Sequence, residues 1–256
     1  MSVELFSLKG RAALVIGGKR GLGLAMAEAF AGAGADVALV SREAGRLEEA
    51  ARLITEATGR RALPLVADAT RAEQVEEVVT RTIDAFGRID ILVNSAGINI
   101  RKPIEELSEA EWHQVIDTNL TAVFLTCKAV GPHMKAAGFG RVINVGSLLS
   151  TLSLAGRTPY ASSKGGVVQL TKTLAIEWAP YGITVNAVCP GFFATELNTP
   201  VMQDKETYER LCSKVPLRRF ADPGEIKTVA LFLASPHSSY VTGTCVYVDG
   251  GATAEV

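Results

Sequence analysis

Tyr160 and Lys164 stand at positions i and i+4 of a stretch with helical periodicity. Such positions share one helix face, which brings a lysine ammonium beside a phenol. A cation there favours the phenolate and lowers the tyrosine pKa from about 10, which suits general acid–base chemistry near neutral pH. The spacing alone is common, and an exposed pair without a chemical role would look the same. Ser147 sharpens the reading. It closes the apolar run Val142–Val145, and open α/β sheets bind ligands at the carboxyl ends of their strands. Asn119 falls on the stripe set by Trp112, Val115, Ile116 and Val123, so its amide points inward and needs partners. Taken singly, a structural asparagine is the simpler account of it.

A second chemistry belongs to Gly17-Gly18-Lys19-Arg20-Gly21-Leu22-Gly23, between an apolar run and a helical pattern. Glycines at 17, 21 and 23 let backbone N–H groups approach a phosphate at the helix N-terminus, where the dipole favours negative charge. The GxxxGxG spacing is weak by itself, and its strand–turn–helix setting gives it meaning. The next apolar run ends in Val40-Ser41-Arg42. A site for NAD wants an acid there for the ribose 2′-hydroxyl, and Ser41 is not acidic. Lys19, Arg20 and Arg42 instead favour a 2′-phosphate, hence NADP(H) over NAD(H). The other reading of Arg42 is a solvated residue at a helix start.

These groups need strands and helices to hold them. Apolar runs at Ala12–Ile16, Val37–Val40, Leu63–Ala67, Ile91–Val93, Val142–Val145, Thr184–Val188 and Cys245–Val248 are short, Val/Ile/Leu-rich and without alternation. That pattern predicts parallel strands buried on both faces. Helices are expected at about 21–33, 43–58, 158–179 and 222–234. Three more start signals are the capping boxes Thr70/Glu73, Ser108/Glu111 and Asp222/Glu225. Repeated β-α-β units imply a doubly wound α/β sheet in one domain spanning 1–256. The polar stretch 194–220 interrupts the alternation and is expected to be a substrate loop or lid.

Composition excludes other classes. Of 256 residues, 48% are hydrophobic and 21% charged, which describes an ordered globular chain. A net charge of −1 and 6% aromatics argue against nucleic acid as a partner. Cys127, Cys189, Cys212 and Cys245 form no CxxC, and three histidines do not suggest a metal site. No signal peptide is read at the N-terminus, and the uncharged stretches 178–195 and 228–248 are too broken to span a membrane. A cytoplasmic location is the expectation.

Together the motifs resemble the short-chain dehydrogenase/reductase family in its single-domain form, over essentially the whole chain. Gly17, Gly21 and Gly23 match its TGxxxGxG loop, with Ile16 where Thr is usual. Asn94-Ser95-Ala96-Gly97 matches NNAG, with Ser95 for the second Asn. Asn119, Ser147, Tyr160 and Lys164 match the catalytic tetrad. Asp68, followed by Ala69, matches the adenine-binding acid. Pro190-Gly191 with Thr195 matches the segment holding the nicotinamide amide, and Val248-Asp249-Gly250-Gly251 the C-terminal strand ending.

The resemblance implies a Rossmann-type seven-stranded parallel sheet with helices on both faces. It implies hydride exchange with a nicotinamide dinucleotide. Ser147 and Tyr160 would hold a carbonyl oxygen, and Lys164 would lower the Tyr160 pKa and bind the ribose. Asn119 would hold a water linking Lys164 to solvent. It also implies a homotetramer through helices 108–137 and 158–179 and the last strand. Ala-Gly-Ile-x-x-Arg-Lys-Pro resembles gluconate 5-dehydrogenases, and Arg101 and Arg157 would then pair with a sugar-acid carboxylate. Arg101 and Lys102 as a merely solvated loop weigh equally. The alternatives are a 3-oxoacyl-(acyl-carrier-protein) reductase and, more remotely, a non-catalytic NADP-binding sensor.

Overall fold

Short runs of Val, Ile, Leu and Ala cannot cover their own backbones, so they pair, and helices bury both faces of the result. The computed structural model describes residues 4–254. In chain order the elements are β1 (Ala12–Ile16), α1 (Gly21–Gly32), β2 (Asp36–Ser41), α2 (Ala44–Thr58), β3 (Ala62–Val66), α3 (Ala72–Phe86) and β4 (Ile91–Asn94). Then come α4 (Glu109–Ile116), α5 (Ala122–Ala137), β5 (Gly140–Val145), α6 (Thr158–Trp178) and β6 (Ile183–Pro190). The last are α7 (Thr199–Gln203), α8 (Lys205–Cys212), α9 (Lys227–Ala234) and β7 (Cys245–Val248). All strand pairs are parallel, in the order β3-β2-β1-β4-β5-β6-β7. The doubly wound sheet is therefore as expected, and its order reverses between β1 and β4.

One face packs α1, α2 and α9 through Phe30, Leu47, Ile54 and Leu233. The other packs α3, α5 and α6 through Val79, Val130, Met134 and Trp178. β1, β2, β4, β5 and β6 are buried throughout. The edge strands β3 and β7 depart from the expected two-sided burial: most of β3 and all of β7 are only half-buried. An edge strand has one neighbour, so apolar composition does not guarantee cover.

Two capping boxes form as read. Ser108 opens α4, with its side chain accepting from the Glu111 backbone N–H and Glu111 reaching back. Asp222 and Glu225 do the same for a short 3-10 turn leading into α9. The Thr70/Glu73 box does not form. Asp68 Oδ1 accepts from both the Thr70 N–H (3.0 Å) and its hydroxyl (2.8 Å). That local turn takes the Thr70 backbone N–H that Glu73 would have to accept, and α3 starts after Arg71 without a side-chain cap. Between α4 and α5 the chain continues as one π-helical turn, Asp117–Thr121, centred on Asn119. The 194–220 segment also differs from the expected loop. Asp204 caps α8, and Val201, Leu211, Cys212 and Phe220 give the segment its own apolar cluster.

Candidate active site

The reversal of strand order leaves a crevice at the carboxyl edge of the sheet. A cleft of about 630 Å³ occupies it, within the usual size for a small-molecule site. Gly17, Lys19, Arg20, Gly21, Leu22, Ser41, Arg42, Asp68, Ala69, Ala96, Gly97, Pro190, Gly191 and Thr195 all line it, as do Arg101, Ser147, Arg157, Tyr160 and Lys164. Gly23, Asn94 and Asn119 stand behind the wall. Asn94 is buried and donates to Asn144 Oδ1 (2.9 Å) while accepting from Thr126 (2.7 Å), so its side chain braces β4 rather than reaching the cleft.

The glycine loop is shaped by close approach. Gly17 has φ +87°, and a Cβ there would lie 2.7 Å from the Ala96 nitrogen. A Cβ at Gly23 would overlap the Gly17 carbonyl oxygen. α1 then begins at Gly21 with no side-chain cap, so its first N–H groups face the cleft without that partner. This cradle suits a pyrophosphate. Ile16 and Ser95, the two departures from the family pattern, meet here through the bond from Ser95 N to Ile16 O (2.9 Å).

At the far side of the loop, Lys19 pairs with Glu43, and Arg20 with Glu196. Arg42 is 63% exposed and reaches Asp68 only at 4.0 Å. Burial raises the Asp68 carboxyl, but the Thr70 hydrogen bonds and the Arg42 and Arg71 charges hold it below its usual range.

The other end gathers the tetrad. Ser147 follows β5, and its Oγ accepts from the Leu149 N–H (3.1 Å). Ser150 Oγ accepts from the Ser147 N–H (3.1 Å) and donates to the Lys164 carbonyl (3.0 Å), clasping the strand end to α6. The Ser-x-x-Ser spacing was the available signal for Ser150. Lys164 is buried, and its Nζ donates to the Val145 carbonyl (2.7 Å) and lies 5.8 Å from the Tyr160 ring centroid. Burial pushes Lys164 down to about 8.

The expected lowering of the Tyr160 pKa is not what this geometry gives. Burial raises the phenol above its usual value. The Ser147 hydroxyl, Arg157 and Arg101 pull it partway back, the thiol of Cys189 opposing them. Lys164 commits one of its three N–H donors to the Val145 carbonyl. Asn119 is likewise committed: Oδ1 accepts from Ile98 N–H (2.8 Å), and Nδ2 donates to the Ile98 carbonyl (2.9 Å) and Ser163 Oγ (3.1 Å). Its amide ties the segment after β4 to α6.

Arg157 precedes α6 and is half-buried. Burial and the neighbouring Arg101 push its pKa down to about 10. Among the described residues neither Arg101 nor Arg157 has a carboxylate within 4.0 Å. Arg101 makes only a long contact with the Leu197 carbonyl (3.4 Å). Lys102 instead pairs with Glu111 outside the cleft. Glu196, unread in the sequence, ties the 194–220 segment to Arg20 and Arg46. Among the described residues there is no His/Cys/Asp/Glu group that could hold a metal, and no helix long and apolar enough to cross a membrane.

Residues 16–253 match the short-chain dehydrogenase family model described as Enoyl-(Acyl carrier protein) reductase. The chain belongs to the short-chain dehydrogenase/reductase family. It is an NAD(P)-dependent oxidoreductase of CH–OH groups. It is 40% identical to a gluconate 5-dehydrogenase of Gluconobacter oxydans, over 98% of this chain and 97% of that one. It is also 40% identical to a 3-oxoacyl-(acyl-carrier-protein) reductase of Vibrio cholerae, over 96% and 98%. A solved gluconate 5-dehydrogenase from Burkholderia cenocepacia, in complex with NADP and tartrate, superposes with a TM-score of 0.96 at 38% identity, covering 100% of both chains.

Proposed function

We propose that this short-chain dehydrogenase interconverts a secondary alcohol and a ketone of a sugar acid, with NADP(H) as its preferred partner and Tyr160 as general acid/base. The observation that carries the substrate class is the pair Arg101 and Arg157. They line the cleft beside Tyr160 and have no acid partner within 4.0 Å among the described residues. Two guanidiniums in that position suit a carboxylate. The Burkholderia relative, described as a gluconate 5-dehydrogenase in complex with NADP and tartrate, is in keeping with an acidic substrate.

The glycine cradle would receive the pyrophosphate of the dinucleotide, and Ser41 and Arg42 the 2′-phosphate. When bound, the dinucleotide supplies or accepts the hydride. The protein's own part is orientation and proton traffic. Ser147 Oγ and the Tyr160 hydroxyl donate to the substrate oxygen. In reduction Tyr160 gives up its proton to that oxygen, and in oxidation it receives one. Its raised pKa keeps it protonated at neutral pH, ready for the reductive direction. Lys164, whose ammonium lies 5.8 Å from the Tyr160 ring centroid, would bind the nicotinamide ribose and favour the phenolate by its charge. Asn119 and Ser150 position α6. The segment 194–220 covers the substrate end as a helical lid. The expected homotetramer has candidate contact residues in Phe124 and Ile176, exposed on α5 and α6.

The competing thioester reading draws on the Vibrio relative. It needs free basic residues for an acidic carrier, yet Arg219 is bound bidentately by Glu225, which leaves Arg218 alone of that pair. The deciding measurement is absorbance at 340 nm with gluconate, other sugar acids and neutral polyols, and in reverse with 5-ketogluconate and an acetoacetyl thioester. Turnover of the sugar acids is expected. Turnover of the thioester alone would overturn the assignment.

A further inference from the structure

The charged groups around the adenosine end of the cleft form an alternating chain, Lys19–Glu43–Arg46–Glu196–Arg20. Its first link is the most sheltered. The Lys19 side chain is 13% exposed, and its ammonium is bound to Glu43. Glu43 lies two residues past Ser41, and its backbone N–H donates to Ser41 Oγ (3.1 Å). So Glu43 engages both the serine and the lysine expected around the ribose 2′ position. Arg42, mostly exposed and 4.0 Å from its nearest acid, is the least committed cation there.

We propose that Glu43 is the residue that sets the balance between the phosphorylated and unphosphorylated dinucleotide, by holding Lys19 away from the 2′ position. This rests on the dinucleotide reading above. A 2′-phosphate finds Arg42 available but gains Lys19 only by displacing a carboxylate, which then stays close to a dianion. A bare 2′-hydroxyl is a donor that the same carboxylate accepts with nothing displaced. Glu43 therefore disfavours the phosphate and favours the hydroxyl, and moderates the preference that Arg42 creates. Because the Glu43 side chain is 54% exposed, the effect weakens with salt.

The test uses the full chain and two fragments without nicotinamide, adenosine 2′,5′-bisphosphate and adenosine 5′-monophosphate, with affinities from calorimetry. Glu43→Gln should tighten the bisphosphate by about tenfold at low salt and leave the monophosphate unchanged or weaker. In a Lys19→Met background the same change should move the bisphosphate by less than about twofold. Equal shifts for both fragments, or a full gain without Lys19, would overturn the proposal and leave the dinucleotide reading standing. A wild-type protein that binds neither fragment would overturn both.

Discussion

Replacing Arg157 by Met should make the protein more stable and its reaction slower. Methionine keeps most of the apolar stem, so lost packing contributes little. The guanidinium is costly where it stands: burial, with Arg101 beside it, lowers its pKa from 12.5 to about 10. At about 1.4 kcal/mol per pKa unit this is roughly 3 kcal/mol. The side chain is only partly buried, and solvent screening reduces the figure to about 1 kcal/mol. For a chain of this size that raises Tm by about 2–4 °C. Function moves the other way. A charge-assisted bond to a carboxylate contributes about 1.5–3 kcal/mol, so kcat/KM for a sugar acid should fall about 10–100-fold. A neutral polyol should be nearly unaffected. Arg157 also pulls the Tyr160 pKa down, so its loss should move the alkaline rise of the oxidation rate to higher pH. Thermal scans and steady-state kinetics on one acidic and one neutral substrate read all three effects. A lower Tm, or equal losses on both substrates, refutes the reasoning.

Tyr160→Phe should reduce turnover by roughly 10²–10⁴-fold while dinucleotide affinity, followed by fluorescence titration, stays unchanged. Burial holds Lys164 near pKa 8 in the folded state, against 10.5 for the free side chain. The native state therefore sheds this proton first, and stability from this group is lost as pH falls from 10.5 to 8. Thermal scans across that window should show a rising Tm component that Lys164→Met removes, along with turnover. Gly23→Ala places a Cβ against the Gly17 carbonyl and should cost about 1–3 kcal/mol and weaken dinucleotide binding. Gly45→Ala in α2, with nothing within 4 Å, is the control and should be neutral or stabilising by Tm.

What the sequence disclosed was whatever short-range chemistry decides. The strand runs, the glycine turn and the Ser108 cap depend on residues within a turn or two of each other. The Thr70 cap failed for a reason just as local, because Asp68 offers a competing acceptor two residues away. Groups held by distant partners were not legible. Arg141 lies inside β5, 2% exposed, and donates to the carbonyls of Gly140, Gly182, Ser235 and Pro236 while stacking 4.3 Å over Phe139. Three of those carbonyls, of Gly182, Ser235 and Pro236, come from segments far along the chain, and periodicity read the strand as starting at Val142. The π turn at Asn119 was equally hidden, since one extra residue per turn leaves the apolar stripe nearly intact. The inward direction of Asn119 was legible; its bonds to Ile98 and Ser163 required the fold.

The two ends of the cleft handle positive charge in opposite ways, and the contrast bears on what each end recognises. At the adenosine end Lys19, Arg20 and Arg42 each have an acid within 4.0 Å, from Glu43, Glu196 and Asp68. Lys19 and Arg20 are neutralised within the protein and only Arg42 is loosely held, so an anionic ligand that recruits the first two competes with side chains and its binding is tunable by single carboxylates. At the substrate end Arg101 and Arg157 repel each other, both of them partly buried, with no such acid among the described residues. The fold bears that cost continuously, and a carboxylate on the substrate removes it only while bound. Discrimination between a sugar acid and its neutral analogue is therefore expected to be steeper than discrimination between NADP and NAD, because no internal carboxylate stands in for the missing charge at the substrate end.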